Sequence, residues 1–132
     1  MGTATADVEP VELMALALEA AGTDAGPAGI LERVDRIAVP QGSWSYPDPA
    51  RLVAARVRAG NAQTHLFELG IAQQSLVNEA LAAVVSGRSE LAAVVGGEAR
   101  LWARDLERSG GEAVESDQPG VQPDVVHRRQ GP

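Results

Sequence analysis

Polar positions are rarest between Leu69 and Glu98, where LGIAQQSLVNEALAAVVSGRSELAAVVGGE reads as a glycine turn, a helix, a second glycine stop and a short apolar run. From Ser75 to Ser86 the only polar side chains are Ser75, Asn78, Glu79 and Ser86, while Leu76, Val77, Ala80, Leu81, Val84 and Val85 cover most of the circumference. A helix that is apolar nearly all round is a buried helix. Gly87 supplies the left-handed residue that ends it, and Leu91 to Val95 has no polar gap, as in a strand covered on both faces. This helix and strand are therefore expected to be the centre about which the rest packs.

The remaining segments alternate in the same way. Glu9 to Ala21 predicts a first helix, with Asp7 or Glu9 near its cap, Pro10 in its first turn and Gly22 as its stop. Ile30 to Arg33 predicts a short helical turn. Val34 to Val39 alternates apolar and polar residues and is halted by Pro40, the signature of a strand. In the loop that follows, Trp44 and Tyr46 could line a pocket, but rings packed flat to seal the loop are the favoured reading. Asp48 before Pro49 is a strong helix start; Leu52, Val53 and Val57 face inward, and Gly60 and Asn61 are the predicted end. Thr64 to Leu69 mixes polar and apolar positions, which predicts an edge strand. Glu98 to Ser109 carries a seam of Leu101, Trp102 and Leu106 among charges, which predicts a solvent-facing helix. The succession favours an α/β fold of three layers: a small, mostly parallel sheet with strands near 34–39, 64–69 and 91–95, and helices on both faces. The expected domain is 9–109, between a flexible start at 1–8 and a disordered or loosely attached tail at 110–132.

Composition narrows the chemistry. A chain of 132 residues is long enough for one modest core. The net charge of −7 disfavours nucleic acid and anionic membrane as partners, because the field repels phosphate. All eleven basic residues are arginine, which removes Schiff-base lysines and a P-loop lysine. There is no cysteine, so no disulfide, thiolate metal site or cysteine nucleophile is available. The two histidines, His65 and His127, stand far apart in sequence, which argues against a metal cluster. No apolar stretch approaches the roughly 20 residues of a membrane span, and the expected location is cytoplasmic.

The segments EPVELMALALEAAG, RVDRIAV, WSYPDPARLVAARV and SLVNEALAAVVSGRSELAAVVGGEA together resemble the N-terminal half of the thiolase superfamily, in particular thiolase-like acetyl-CoA acetyltransferases. The resemblance covers Glu9 to Arg108 and is most specific from Ser75 to Ala99. It implies the three-layer fold of that half. It also implies a nucleophilic cysteine at the entry to the buried helix, where the helix N-terminus stabilises a thiolate. In the family's spacing that place falls at Gly70, which carries no side chain. Ser75 is the nearest hydroxyl and reads as a helix-start residue. The family's catalytic histidine and second cysteine belong to a C-terminal half that the resemblance does not cover, and His127 reads as a solvated tail residue. Family members also open with an apolar strand in the middle of their sheet, which MGTATADVEP does not provide. The resemblance thus leaves an empty lane between the strands at 34–39 and 91–95.

Three functions compete on this reading. The first is a truncated thiolase-like domain without independent catalysis, acting through dimerisation or as part of a split enzyme. Its expected interface residues are His65, Phe67, Leu69, Leu76 and Leu81, and its partner is a twin subunit or a separate C-terminal thiolase half. The second is an active acetyl-CoA C-acyltransferase completed by a partner chain, with a coenzyme A thioester as substrate and no cofactor or metal. The third is a small-ligand-binding α/β module that uses Gly96 and Gly97 at a strand end.

Overall fold

The computed structural model describes residues 9–96 and 118–129. In chain order they form α1 (Pro10–Ala25), a 3-10 turn (Ile30–Arg33), β1 (Arg36–Pro40), α2 (Pro49–Val57), β2 (Gln63–Phe67), α3 (Gln73–Val85), β3 (Ala92–Val94) and β4 (Val125–His127). The four strands make one parallel sheet in the order β3-β1-β2-β4. The fold is α/β. The expectations for 1–8, for a helix at 98–109 and for 110–117 lie outside the described residues.

The topology places the helices on opposite faces. β2 lies on one side of β1 and β3 on the other, so the crossovers β1-α2-β2 and β2-α3-β3 travel in opposite lateral directions. Parallel crossovers are right-handed almost without exception, and two that travel oppositely must use opposite faces. Accordingly Ile37 and Val39 of β1 pack among Met14, Leu18, Val53 and Val57 of α1 and α2, while Ala38 and Phe67 pack on Leu76 of α3. Burial of a side chain such as Met14, Ile37 or Val53 contributes on the order of 1.5–3 kcal/mol.

Several elements obey their local signals. Asp48 caps α2: its carboxylate accepts from the Arg51 backbone N–H, and Pro49 holds the first helical position. Trp44 and Tyr46 are buried in the α1/α2 core with ring centroids 5.4 Å apart, and the Tyr46 hydroxyl donates to Glu9. They seal the loop.

Other elements depart from the sequence reading. α1 does not stop at Gly22 but continues to Ala25, and Gly26, at φ 105°, closes it. Gly22 is buried inside the helix because Leu31 folds down on it; a Cβ there would lie 2.8 Å from the leucine Cγ. α2 ends at Val57 with Arg58 in the left-handed conformation, ahead of Gly60 and Asn61.

The central helix and strand are placed differently as well. α3 buries only Leu76 and Ala83, and Val77, Leu81, Val84 and Val85 are exposed. A helix on an outer layer has one face on the sheet, and its second apolar face meets nothing else among the described residues. β3 is an edge strand with Val94 exposed, not a strand covered on both faces, and β1 lies in the interior of the sheet. β2 is flanked by β1 and β4, so the segment predicted as an edge is interior. No empty lane separates β1 from β3: they pair directly, Arg36 with Ala92 through Ala38 with Val94. Within the segment expected to be a loose tail, Val125–His127 completes the sheet.

Candidate functional site

Two features of the α3 side bear on function: a polar cluster pressed against the sheet and a cleft at the carboxyl ends of the strands. The cluster follows from register. Parallel pairing sets Ala38 beside His65 and His65 beside Val125, and sets Phe67 beside His127. Side chains alternate across a sheet, so Arg36, His65, Phe67 and His127 all emerge on one face. The two histidines, 62 positions apart, meet there, with His65 Nδ1 2.9 Å from His127 Nε2. The His127 ring lies flat on Phe67 at 3.9 Å between centroids. His65 Nε2 lies 3.0 Å from Arg36 Nη1 and 2.7 Å from Gln63 Oε1.

Electrostatics keep this pair neutral. Burial, then the nearby Arg36 and His127, hold His65 down to about 4, and burial with Arg36 also holds His127 below its ordinary value. Arg36 is itself buried, with Nη2 3.6 Å from Glu79 Oε2 and with Nε and Nη2 lacking hydrogen-bond partners among the described residues. A buried guanidinium with so loose a counter-charge makes a second nearby cation costly.

The cleft has a volume of about 560 Å³ and opens where β1 and β3 end and α3 begins, lined by Pro40, Gln41, Gln73, Leu76, Val95 and Gly96. The carboxyl ends of parallel strands are the customary place for ligands in open α/β sheets. Gly70 lies in the exposed turn between β2 and α3 at φ 98°, with the Arg129 side chain against it. Ser75 sits in the first turn of α3, where its N–H donates to the Ala72 carbonyl, and both histidines are engaged elsewhere. Among the described residues no hydroxyl–histidine pair with nucleophile geometry is assembled at this turn. Nor do the described residues contain a group of three or more His, Cys, Asp or Glu that could hold a metal.

A third network ties the late segment to the core. The Gln118 amide bridges Asp48, accepting from its N–H and donating to its carbonyl. The buried Asp48 carboxylate accepts from Arg51 Nε and from the Thr64 hydroxyl. Arg51 reaches on to Asp124, which in turn accepts from the Thr64 backbone N–H. That last bond, and then Arg51, hold Asp124 below the usual carboxylate range against the opposing effect of burial.

The structure redistributes the residues expected at an interface. His65, Phe67 and Leu76 are no more than 3% exposed, covered by α3 and β4. They pack within the chain. Leu69 and Leu81 are exposed, at 66% and 58%. The sequence reading missed Arg36, Glu79 and His127 as one cluster, and the signal available was the pair of β-branched residues before His127, bounded by Pro123 and Asp124. No protein-family model, curated protein or solved structure matches the chain. Among the described residues, no helix is long and apolar enough to cross a membrane.

Proposed function

We propose that this chain is a thiolase-like assembly domain without catalysis of its own, and that it acts by pairing through the outer face of α3 with a second copy of itself. One observation carries the reading: Val77, Leu81, Val84 and Val85, spaced as a single helical stripe, are all exposed, and Val94 on the edge strand is exposed too. Contiguous apolar surface of this kind marks a contact site. With a net charge of −7 two copies repel, and the uncharged stripe is the surface on which close approach costs least. The family attribution rests on the sequence segments quoted above and on the parallel α/β sheet. The absence of catalysis rests on Gly70, which offers no nucleophile, and on histidines committed to each other. Light scattering of the full chain at tens of micromolar concentration tests the pairing. A dimer that Leu81→Glu combined with Val85→Glu converts to a folded monomer supports it, and a monomeric wild type overturns it. Assay with acetoacetyl-CoA should give no turnover.

A second reading has its own observation, the cleft beside Gly96. A small ligand held there by the Gln41 and Gln73 amides over Leu76 would make the chain a binding module. Calorimetric titration with coenzyme A and with common nucleotides separates the two, since an assembly domain alone gives no heat of binding.

A further inference from the structure

The histidine pair does more than fill space under α3. We propose that His65 and His127 form a proton-operated latch that holds β4 on β2 at neutral pH and releases residues 125–129 on acidification. The inference is independent of whether the α3 stripe pairs with a second copy.

The latch is built from the hydrogen-bond inventory of two imidazoles. A guanidinium can only donate, so His65 Nε2, 3.0 Å from Arg36 Nη1, is the bare acceptor nitrogen. The Gln63 amide, whose Oε1 stands 2.7 Å from the same nitrogen, must then be rotated so that its NH2 faces the ring. It follows that His65 Nδ1 carries the proton and donates to His127 Nε2. Both acceptor nitrogens of the pair are thus occupied. An additional proton can land only on His65 Nε2, against Arg36, or on His127 Nε2, against the His65 N–H. Either placement replaces a hydrogen bond with two opposed donors.

Among the described residues, no uncommitted carboxylate faces the pair to offset that charge. β1 contributes Arg36, the turn after α3 contributes Arg88, α3 contributes Glu79 and the entry to β4 contributes Asp124. The two cations oppose a third. Both carboxylates are engaged, Glu79 with Arg36 and Asp124 with Arg51 and the Thr64 N–H. The depressed affinity of both rings for protons is the same fact seen from the titration side.

β4 is the element that gives way. It is three residues long and, among the described residues, pairs only with β2. His127 is its main anchor, through the stack on Phe67 and the bond to His65. The residues before it have a separate, acid-resistant hold in Asp124 and Gln118, so release hinges at Asp124 and leaves 118–124 in place. It uncovers Phe67 and the backbone edge of β2, which becomes a free parallel edge that can accept another strand.

Amide hydrogen exchange by NMR on the full chain at pH 7.5 and pH 5.0, corrected for intrinsic rates, tests the latch. The Glu68 N–H, which donates to the His127 carbonyl, should lose protection by tenfold or more. The Thr64 N–H on Asp124 and the Gln41 N–H on Phe67 should keep theirs. Retained protection at Glu68, or parallel loss at Gln41, overturns the proposal. His127→Phe keeps a ring to stack on Phe67 but cannot titrate, so Glu68 should stay protected at pH 5.0; an unchanged loss there also overturns it. Should that variant lack β4 already at pH 7.5, the wild-type imidazole signals decide. Protonation that tracks the loss at Glu68 supports the latch, and both rings titrating normally with Glu68 still protected defeats it.

Discussion

The two faces of the sheet are built on different terms. On the α1/α2 face a continuous apolar core runs from Val11 through Ile37 and Val53 to the Trp44–Tyr46 pair, whereas on the α3 face the described residues form only a small cluster of Ala38, Phe67 and Leu76, with Ile71 packed alongside and Ala83 buried in α3. The space that hydrocarbon fills on one side is filled on the other by Arg36, His65, His127 and Glu79. Hydrophobic burial is insensitive to pH and non-directional; a buried network of titratable groups depends on each proton and each angle. The first face supplies stability, and the second holds what can respond to solution conditions or to a partner.

Core truncation probes this contrast most strongly. Ile37→Ala on the thick face should cost about 3–4 kcal/mol and Leu76→Ala on the thin face about 2–3 kcal/mol, read by urea unfolding, because the thinner surround of Leu76 can collapse into the space left. A larger cost at Leu76 would reverse the comparison.

Acid should weaken the molecule through the α3 face. The folded chain holds His65 at about 4 while the unfolded chain takes up its proton near 6.5. The unfolded state therefore binds the proton first as pH falls. The stability this histidine contributes is fully present above pH 6.5 and declines toward pH 4, by up to about 3 kcal/mol. A denaturant midpoint that does not move between pH 7.5 and pH 4.5 would show that the thin face holds no neutral buried histidine.

Smaller effects sharpen the boundary between the two faces. Asp48→Ala removes the cap of α2 and leaves the Thr64 hydroxyl and Arg51 without their acceptor, at a cost of about 1–3 kcal/mol in thermal or urea unfolding. Gln118→Ala should cost about 1 kcal/mol and loosen the late segment, seen as faster proteolysis after Pro119 with little change at α1. Smallest of all, Leu81→Glu combined with Val85→Glu should shift monomer stability by no more than about 0.5 kcal/mol at each position. A much larger loss would mean that the stripe is needed for folding rather than for association.

Legibility differed between these regions in a consistent way. Asp48-Pro49 announces α2, the alternation at Val34 to Val39 announces β1, and the inward reading of Val53 and Val57 agrees with their burial. Each of these is decided within about one turn or one strand of neighbours. Gly22 misled because its conformation is helical and its purpose lies in Leu31, nine positions on. The apolar circumference of α3 misled because composition around a helix does not say whether the cover comes from the same chain. His127 was read as solvated because three residues of strand among glycines and prolines carry too little pattern to outweigh their setting. The histidine cluster, the most distinctive chemistry present, was hidden by a separation of 62 residues.

By itself the sequence determined an alternation of helices and short strands, hence a parallel α/β sheet, along with the caps and turns that punctuate it. These follow from backbone sterics and from the spacing of apolar residues, which are local. Only the tertiary structure decided that β1 is central, that β3 closes beside it, that 125–127 extends the sheet and that two distant histidines meet. Strand order and side-chain meetings depend on pairing free energies summed over segments far apart in the chain, and many arrangements share one local pattern until those sums are made.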